Sequence, residues 1–271
     1  MLVLSANDAT VALAEGLSGT VERFVELMNQ QAKVLGLTAT TFKNPEGLVE
    51  PGQVTTARDL ATLGQALWRD CPDRQAYFSI KKYRYAGTPA ANDTNRNLLL
   101  FRDPSVDGLQ TAYTQASGHG MLASAQRDVP GLKSRRMLAV VLGAVNENVR
   151  AQEAQKLLNW GYTAFDAVKL FDANQPVTQV PVWKGRAGQL SIGRPEPLVV
   201  AVPAGQVAKL RSELARPDPL VAPLLKGQAV ARMKIYVGEQ LLVEKPLLAL
   251  QTVDESGVIG RAWDAVRLWI K

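Results

Sequence analysis

A change in hydrophobic period along the chain constrains its fold more than any other sequence feature. Up to about residue 70, apolar residues recur at helical spacing. Val21, Phe24, Val25 and Met28 follow i, i+3, i+4, i+7, with Gly36 as a stop. A second helix opens at Thr56-Ala57-Arg58-Asp59, carries Leu60, Leu63 and Leu67 on one face, and ends at Cys71-Pro72. Phe42 to Leu48 forms a turn-rich loop between them. From residue 76 to 145 the period falls to two. This predicts strands at Tyr77 to Tyr85, Val106 to Thr114, Gly120 to Arg127 and Arg136 to Ala144, joined by connections short enough for antiparallel pairing. A helical stripe returns over residues 148 to 165 with Ala151, Ala154, Leu157, Leu158 and Tyr162, placed to cover that sheet. After Asn174-Gln175-Pro176 come short β-type segments: Val177 to Trp183, Leu198 to Pro203, Ala229 to Val237 and Gln240 to Glu244. The tail from Val258 to Ile270 sets Ile259, Ala262, Trp263, Val266 and Ile270 on one helical face. The expectation is a mixed α/β chain in three parts: residues 1–175, a small β-sandwich-like domain over 176–257, and an amphipathic helix over 258–271.

Composition narrows the chemistry. One cysteine, Cys71, excludes an internal disulfide and a Cys-rich zinc framework. One histidine, His119, argues against a His-based metal site or a Ser-His-Asp triad. Whatever chemistry the chain performs then falls to Ser, Lys or carboxylates. The net charge, 31 − 25 = +6, with a pI near 9.5, favours anionic surfaces. No run of 18 apolar residues occurs; the longest, Leu138 to Val145, has a strand's length. Met1 to Asp8 lack the basic and apolar regions of a signal peptide.

Three places carry candidate chemistry. Ser5-Ala6-Asn7 precedes a helix. Asn95-Arg96-Asn97 precedes a strand. Val106 to Ala112, containing Gln110-Thr111-Ala112, lies on a strand hairpin-linked to Ser117 through Ala125. In their order and spacing, together with Leu35 to Leu48, they resemble the low-molecular-mass penicillin-binding proteins, the serine D-alanyl-D-alanine carboxypeptidases of peptidoglycan (peptidase S11 family), over nearly the whole chain. That family uses S-x-x-K for nucleophile and base, then S-x-N, then K-T-G on an edge strand. Ser5-Ala6-Asn7 matches the second motif. Gln110-Thr111-Ala112 matches the third with Lys replaced by Gln and Gly by Ala. The first is expected well upstream of S-x-N, and only four residues precede Ser5 here.

The resemblance implies a truncated transpeptidase/β-lactamase-like first domain and catalysis through an acyl-serine intermediate, without metal or cofactor. It implies a peptidoglycan stem peptide ending in D-Ala-D-Ala as partner, β-lactam binding once the missing segment is restored, and no nucleic acid. Location follows as periplasmic or on the outer face of the cytoplasmic membrane, with peripheral contact through the C-terminal helix. Ser5 would relay the nucleophile's proton, Asn7 and Gln110 would complete the catalytic set, and Thr111, Ala112 and Arg96 would bind the substrate's carboxylate end. Without its nucleophile segment this chain is expected to be inactive by itself. The alternatives are a non-catalytic peptidoglycan-binding scaffold and a serine β-lactamase-like hydrolase. The bland readings are that Ser5 or Asn7 caps a helix, Arg96 makes a structural salt bridge, His119 is a surface or packing residue, and Trp263 and Trp269 belong to a core. Ser79-Ile80-Lys81-Lys82 also spells S-x-x-K. It is set aside because a strand would point Ser79 and Lys82 to opposite faces.

Overall fold

A computed structural model describes residues 1–87, 89, 92–258, 260, 263, 264 and 269. The chain divides into two units, residues 1–128 with 133–162, and residues 129–132 with 163–271.

In the first unit, helices α1 (Asn7–Ser18), α2 (Val21–Val34) and α3 (Ala57–Asp70) come first. Thr20 and Thr56 cap α2 and α3 with their side chains, which accept from the amides of Arg23 and Asp59. The loop between α2 and α3 is fixed by side chains acting on backbone. Asn29 exchanges two hydrogen bonds with the backbone of Phe42, and the buried Asp59 carboxylate accepts from the Ala39 amide and the Thr40 hydroxyl. Asn44 closes the turn at Gly47, whose φ of +83° suits glycine.

The strand expected over Tyr77 to Tyr85 is not formed. Pro72 starts a 3-10 helix, Pro72–Ser79, as a residue pre-set for a first helical turn does. Phe78 then turns inward to meet Trp68 edge-to-face at 5.9 Å, while Tyr77 stays exposed. A short α4 (Leu99–Arg102) leads into β1 (Val106–Thr114), β2 (Gly118–Val129) and β3 (Leu132–Ala144), which form one sheet in the order β1-β2-β3. Successive side chains of β2 serve opposite faces. Met121, Ala123 and Ala125 pack with Ala139 under Ala151, Ala154 and Leu158 of α5 (Glu147–Ala164), the small side chains allowing close approach. Leu122 joins Leu2, Leu67, Trp68, Phe78, Leu109 and Leu138 in the cluster built around α3.

The second unit contains β4 (Phe165–Phe171), β5 (Pro176–Pro181), β6 (Gln189–Gly193), β7 (Leu198–Pro203), β8 (Leu210–Ala215), β9 (Ala229–Val237) and β10 (Gln240–Ala249). A five-stranded sheet, β5-β6-β10-β9-β8, and a two-stranded sheet, β4-β7, share one aliphatic core. Of the expected C-terminal helix, Ile259, Arg261, Ala262, Val266, Arg267, Ile270 and Lys271 lie outside the described residues. Trp263 and Trp269 are 62% and 89% exposed, so neither is core, and the Asp264 carboxylate accepts from the Lys184 amide. Among the described residues no helix is long and apolar enough to cross a membrane.

Candidate functional site

The site is built around the start and end of β1. Asn97 is fully buried: its amide group donates to the Gly108 carbonyl at 3.2 Å, and its side-chain oxygen accepts from Leu99. Asn95 donates to the Ile80 carbonyl and accepts from the Asn97 amide. The two asparagines of Asn95-Arg96-Asn97 therefore hold the segment, and the intervening Arg96 side chain is left exposed. Among the described residues it has no salt bridge, so the structural reading of Arg96 is not met. Gly108 is required at its place, because a Cβ there would come within 2.9 Å of the Phe78 Cβ.

The residue that joins these parts was not picked out from sequence. Arg150 on α5 is only 3% exposed and donates through Nη2 to the Arg96 carbonyl at 2.9 Å and through Nη1 to the Ala112 carbonyl at 3.5 Å. One guanidinium thus ties the Arg96 loop to the end of β1. Burial lowers its pKa, Glu147 opposes that shift, and the neighbouring Arg96 charge adds to it. Among the described residues its Nε has no hydrogen-bond partner. A signal was present, since Arg150 stands four and eight residues before Ala154 and Leu158 on the buried stripe, where an arginine calls for a reason.

β1 is a sheet edge, with Thr111 buried, Gln110 half-buried and Ala112 exposed. Ala6 is the N-cap residue of α1 and no side chain caps it, so neither Ser5 nor Asn7 plays the capping role; Asn7 is exposed and Ser5 has φ of +54°. Leu2 packs on the cluster containing Leu109, which anchors the segment before Ser5 beside the residue preceding Gln110. The side chains of Ser5, Asn7, Arg96, Gln110 and Thr111 are not hydrogen-bonded to one another. Past the end of β1, Met28, Phe42, Leu48, Thr114 and Ser117 line a groove of about 400 Å³.

His119 stacks on its cross-strand neighbour Tyr113, ring centroids 4.3 Å apart, as a packing residue does. Ser79 ends the 3-10 helix with its hydroxyl on the Ala76 carbonyl, and Lys82 lies beyond that helix at a bridge to Thr94. The reason for setting Ser79 aside changes accordingly: the pair spans a helix end and not a strand. Among the described residues no group of three His, Cys, Asp or Glu side chains is placed to hold a metal ion.

Residues 1–146 match the D-alanyl-D-alanine carboxypeptidase family, and residues 165–255 match the C-terminal domain of penicillin-binding protein 5. The chain is 36% identical over 270 residues to D-alanyl-D-alanine carboxypeptidase DacC of Escherichia coli, covering 99% of this chain and 66% of that protein. It is 32% identical to DacF of Bacillus subtilis, over 95% of this chain and 65% of that one. It therefore spans about two thirds of the length of these curated relatives. The solved structure of penicillin binding protein 5 from Haemophilus influenzae superimposes with a TM-score of 0.82 at 32% identity, covering 94% of this chain and 72% of that one. Both the sequence match and the shared architecture run through the two units, and the chain belongs to the D-alanyl-D-alanine carboxypeptidase family of low-molecular-mass penicillin-binding proteins.

Proposed function

We propose that this chain carries the substrate-binding part of a serine D-alanyl-D-alanine carboxypeptidase site and takes a peptidoglycan stem peptide by its terminal carboxylate. The observation that carries the reading is the Arg150 bridge, which holds a surface cation, Arg96, without a salt bridge among the described residues, beside the open edge of β1. An extended peptide adds to such an edge through its backbone, and Thr111 and Arg96 supply a hydroxyl and a charge for the carboxylate. Asn7 offers both a donor and an acceptor for the substrate amide, and Ser5 relays a proton. Gln110 keeps hydrogen bonding at its position without the family's positive charge, and Ala112 adds a Cβ beside the ligand. These two departures favour the second reading, a docking cleft that binds wall peptide without turnover. The acyl-serine step needs a serine beside a lysine base, and Ser79 with Lys82 does not furnish that pair.

Location in the periplasm or on the outer membrane face belongs to the same proposal, as does peripheral contact through the exposed Trp263 and Trp269. Calorimetric titration with diacetyl-L-lysyl-D-alanyl-D-alanine tests the site. Binding is expected, with about tenfold loss when the peptide's carboxylate is amidated and a severalfold gain in Gln110→Lys. Equal affinity for acid and amide would overturn the carboxylate assignment. Fluorescent penicillin should leave no stable adduct on this chain; an adduct abolished by Ser79→Ala would make Ser79 the nucleophile. Release of D-alanine separates the enzyme from the docking reading.

A further inference from the structure

The segment leading into Arg96 is an arm with an unusual surface. Residues 81–83 pair antiparallel with residues 93–95: Tyr83 donates to the Asp93 carbonyl at 2.9 Å, Asn95 donates to the Lys81 carbonyl at 2.8 Å, and Lys82 bridges Thr94. The sequence there is Lys81-Lys82-Tyr83-Arg84-Tyr85, and all five side chains are exposed, the tyrosines by 54% and 53%. Three cations stand against one carboxylate, Asp93, and among the described residues none of the three is in a salt bridge. Lys81 lies over the Phe101 ring at 5.7 Å, which fixes the base of the arm.

We infer that this arm is a docking surface for polymeric peptidoglycan, holding the strand on either side of the stem peptide that reaches Arg96. The inference rests on the carboxypeptidase reading for its substrate. Alternation along an extended arm puts Tyr83 and Tyr85 on one side and Lys82 and Arg84 on the other. Tyrosine rings present flat apolar faces with a polar tip, which suits sugar rings. The cations suit the carboxylates that neighbouring stem peptides carry along the same strand. The arm runs without interruption through Asn95 into Arg96, which places it next to the residue proposed to hold the peptide's carboxylate, so one polymer strand can reach both. A phospholipid surface is disfavoured because Lys81 to Gly87 includes no aliphatic side chain larger than alanine to insert among acyl chains.

The test compares the full chain with a Lys82→Gln/Arg84→Gln variant and a separate Tyr83→Ser variant, so that a folding defect in one leaves the other informative. Each is sedimented with purified sacculi and with phosphatidylglycerol vesicles, and titrated with diacetyl-L-lysyl-D-alanyl-D-alanine. The charge variant should bind sacculi about 10-fold more weakly and the tyrosine variant several-fold more weakly, with soluble-peptide affinity changed less than about 2-fold. Undiminished sacculus binding would overturn the inference. A parallel fall in both affinities would also overturn it, by making the arm part of the peptide site. Loss of vesicle binding with sacculus binding intact would assign the arm to lipid instead. Arm-dependent sacculus binding by a chain that does not bind the soluble peptide would defeat the carboxypeptidase-site reading while leaving the arm's role in place.

Discussion

The buried polar side chains among the described residues, Asp59, Asn95, Asn97, Thr111, Ser124, Arg135 and Arg150, all lie in the first unit, whereas the core of the second is built from Val, Leu, Ile, Ala and Met. Burying a polar group costs stability unless its hydrogen bonds are met inside, and most of these are met by backbone at loop junctions. Asp59 sets the loop before α3, Asn97 sets the start of β1, and Arg150 sets Arg96 against Ala112. Polar burial in the first unit thus fixes positions, where apolar burial in the second fixes only compactness.

Three changes test that contrast, in descending order of effect. Ile235→Ala removes a fully buried side chain from the second unit and should cost about 3–4 kcal/mol in urea unfolding, with peptide affinity unchanged. Loss of peptide affinity there would break the division of roles. Asn97→Ala removes the side-chain partner of the Gly108 carbonyl and of the Leu99 amide, and should cost about 2 kcal/mol while also weakening peptide binding, because β1 and the Arg96 loop lose their shared tie. A pure stability loss with native affinity would make Asn97 simply a core residue.

Asp103→Asn is the smallest, about 1–2 kcal/mol at neutral pH. Burial pushes the Asp103 carboxyl up, but hydrogen bonds from Ser105 and the Arg127 guanidinium at 2.7 Å more than offset this, and its pKa is lowered. With the folded pKa below the unfolded one, its stabilisation is full above the unfolded value near 4 and is lost as pH falls through the folded value. The gap between wild type and Asp103→Asn should therefore shrink below about pH 4 in urea titrations at several pH values. A gap independent of pH would show that ionisation of Asp103 contributes nothing.

Much of this architecture was legible from periodicity. β1 and β9 have the predicted bounds, and α3 begins after Thr56 as its cap signal required. What escaped had physical causes. β4 follows α5 directly, Ala164 to Phe165, with no turn residue to mark the change, and β8 is an exposed edge strand whose Leu210 to Ala215 carry no apolar alternation. Tyr77 to Tyr85 had a strand's pattern, but Pro72 and the Trp68–Phe78 contact imposed a 3-10 turn. For the proposed site, motif spacing nominated Ser5, Asn7, Arg96 and Gln110 to Ala112, whose side chains are not hydrogen-bonded to one another. For Arg150 the local signal was an arginine on the buried stripe of α5, but its role could not be read from it, because its partners at 96 and 112 are distant in sequence and meet it only once α5 lies on the sheet.

The central claim is that Arg150 acts on the ligand through Arg96. A double-mutant cycle measures this directly: calorimetric affinity for diacetyl-L-lysyl-D-alanyl-D-alanine in wild type, Arg96→Gln, Arg150→Gln and the double variant, with thermal unfolding confirming that each is folded. The expected result is about tenfold weaker binding in each single variant and no further loss in the double, since the second change removes support for a charge already gone. Losses that multiply to about a hundredfold, or native affinity in Arg150→Gln, would contradict the claim.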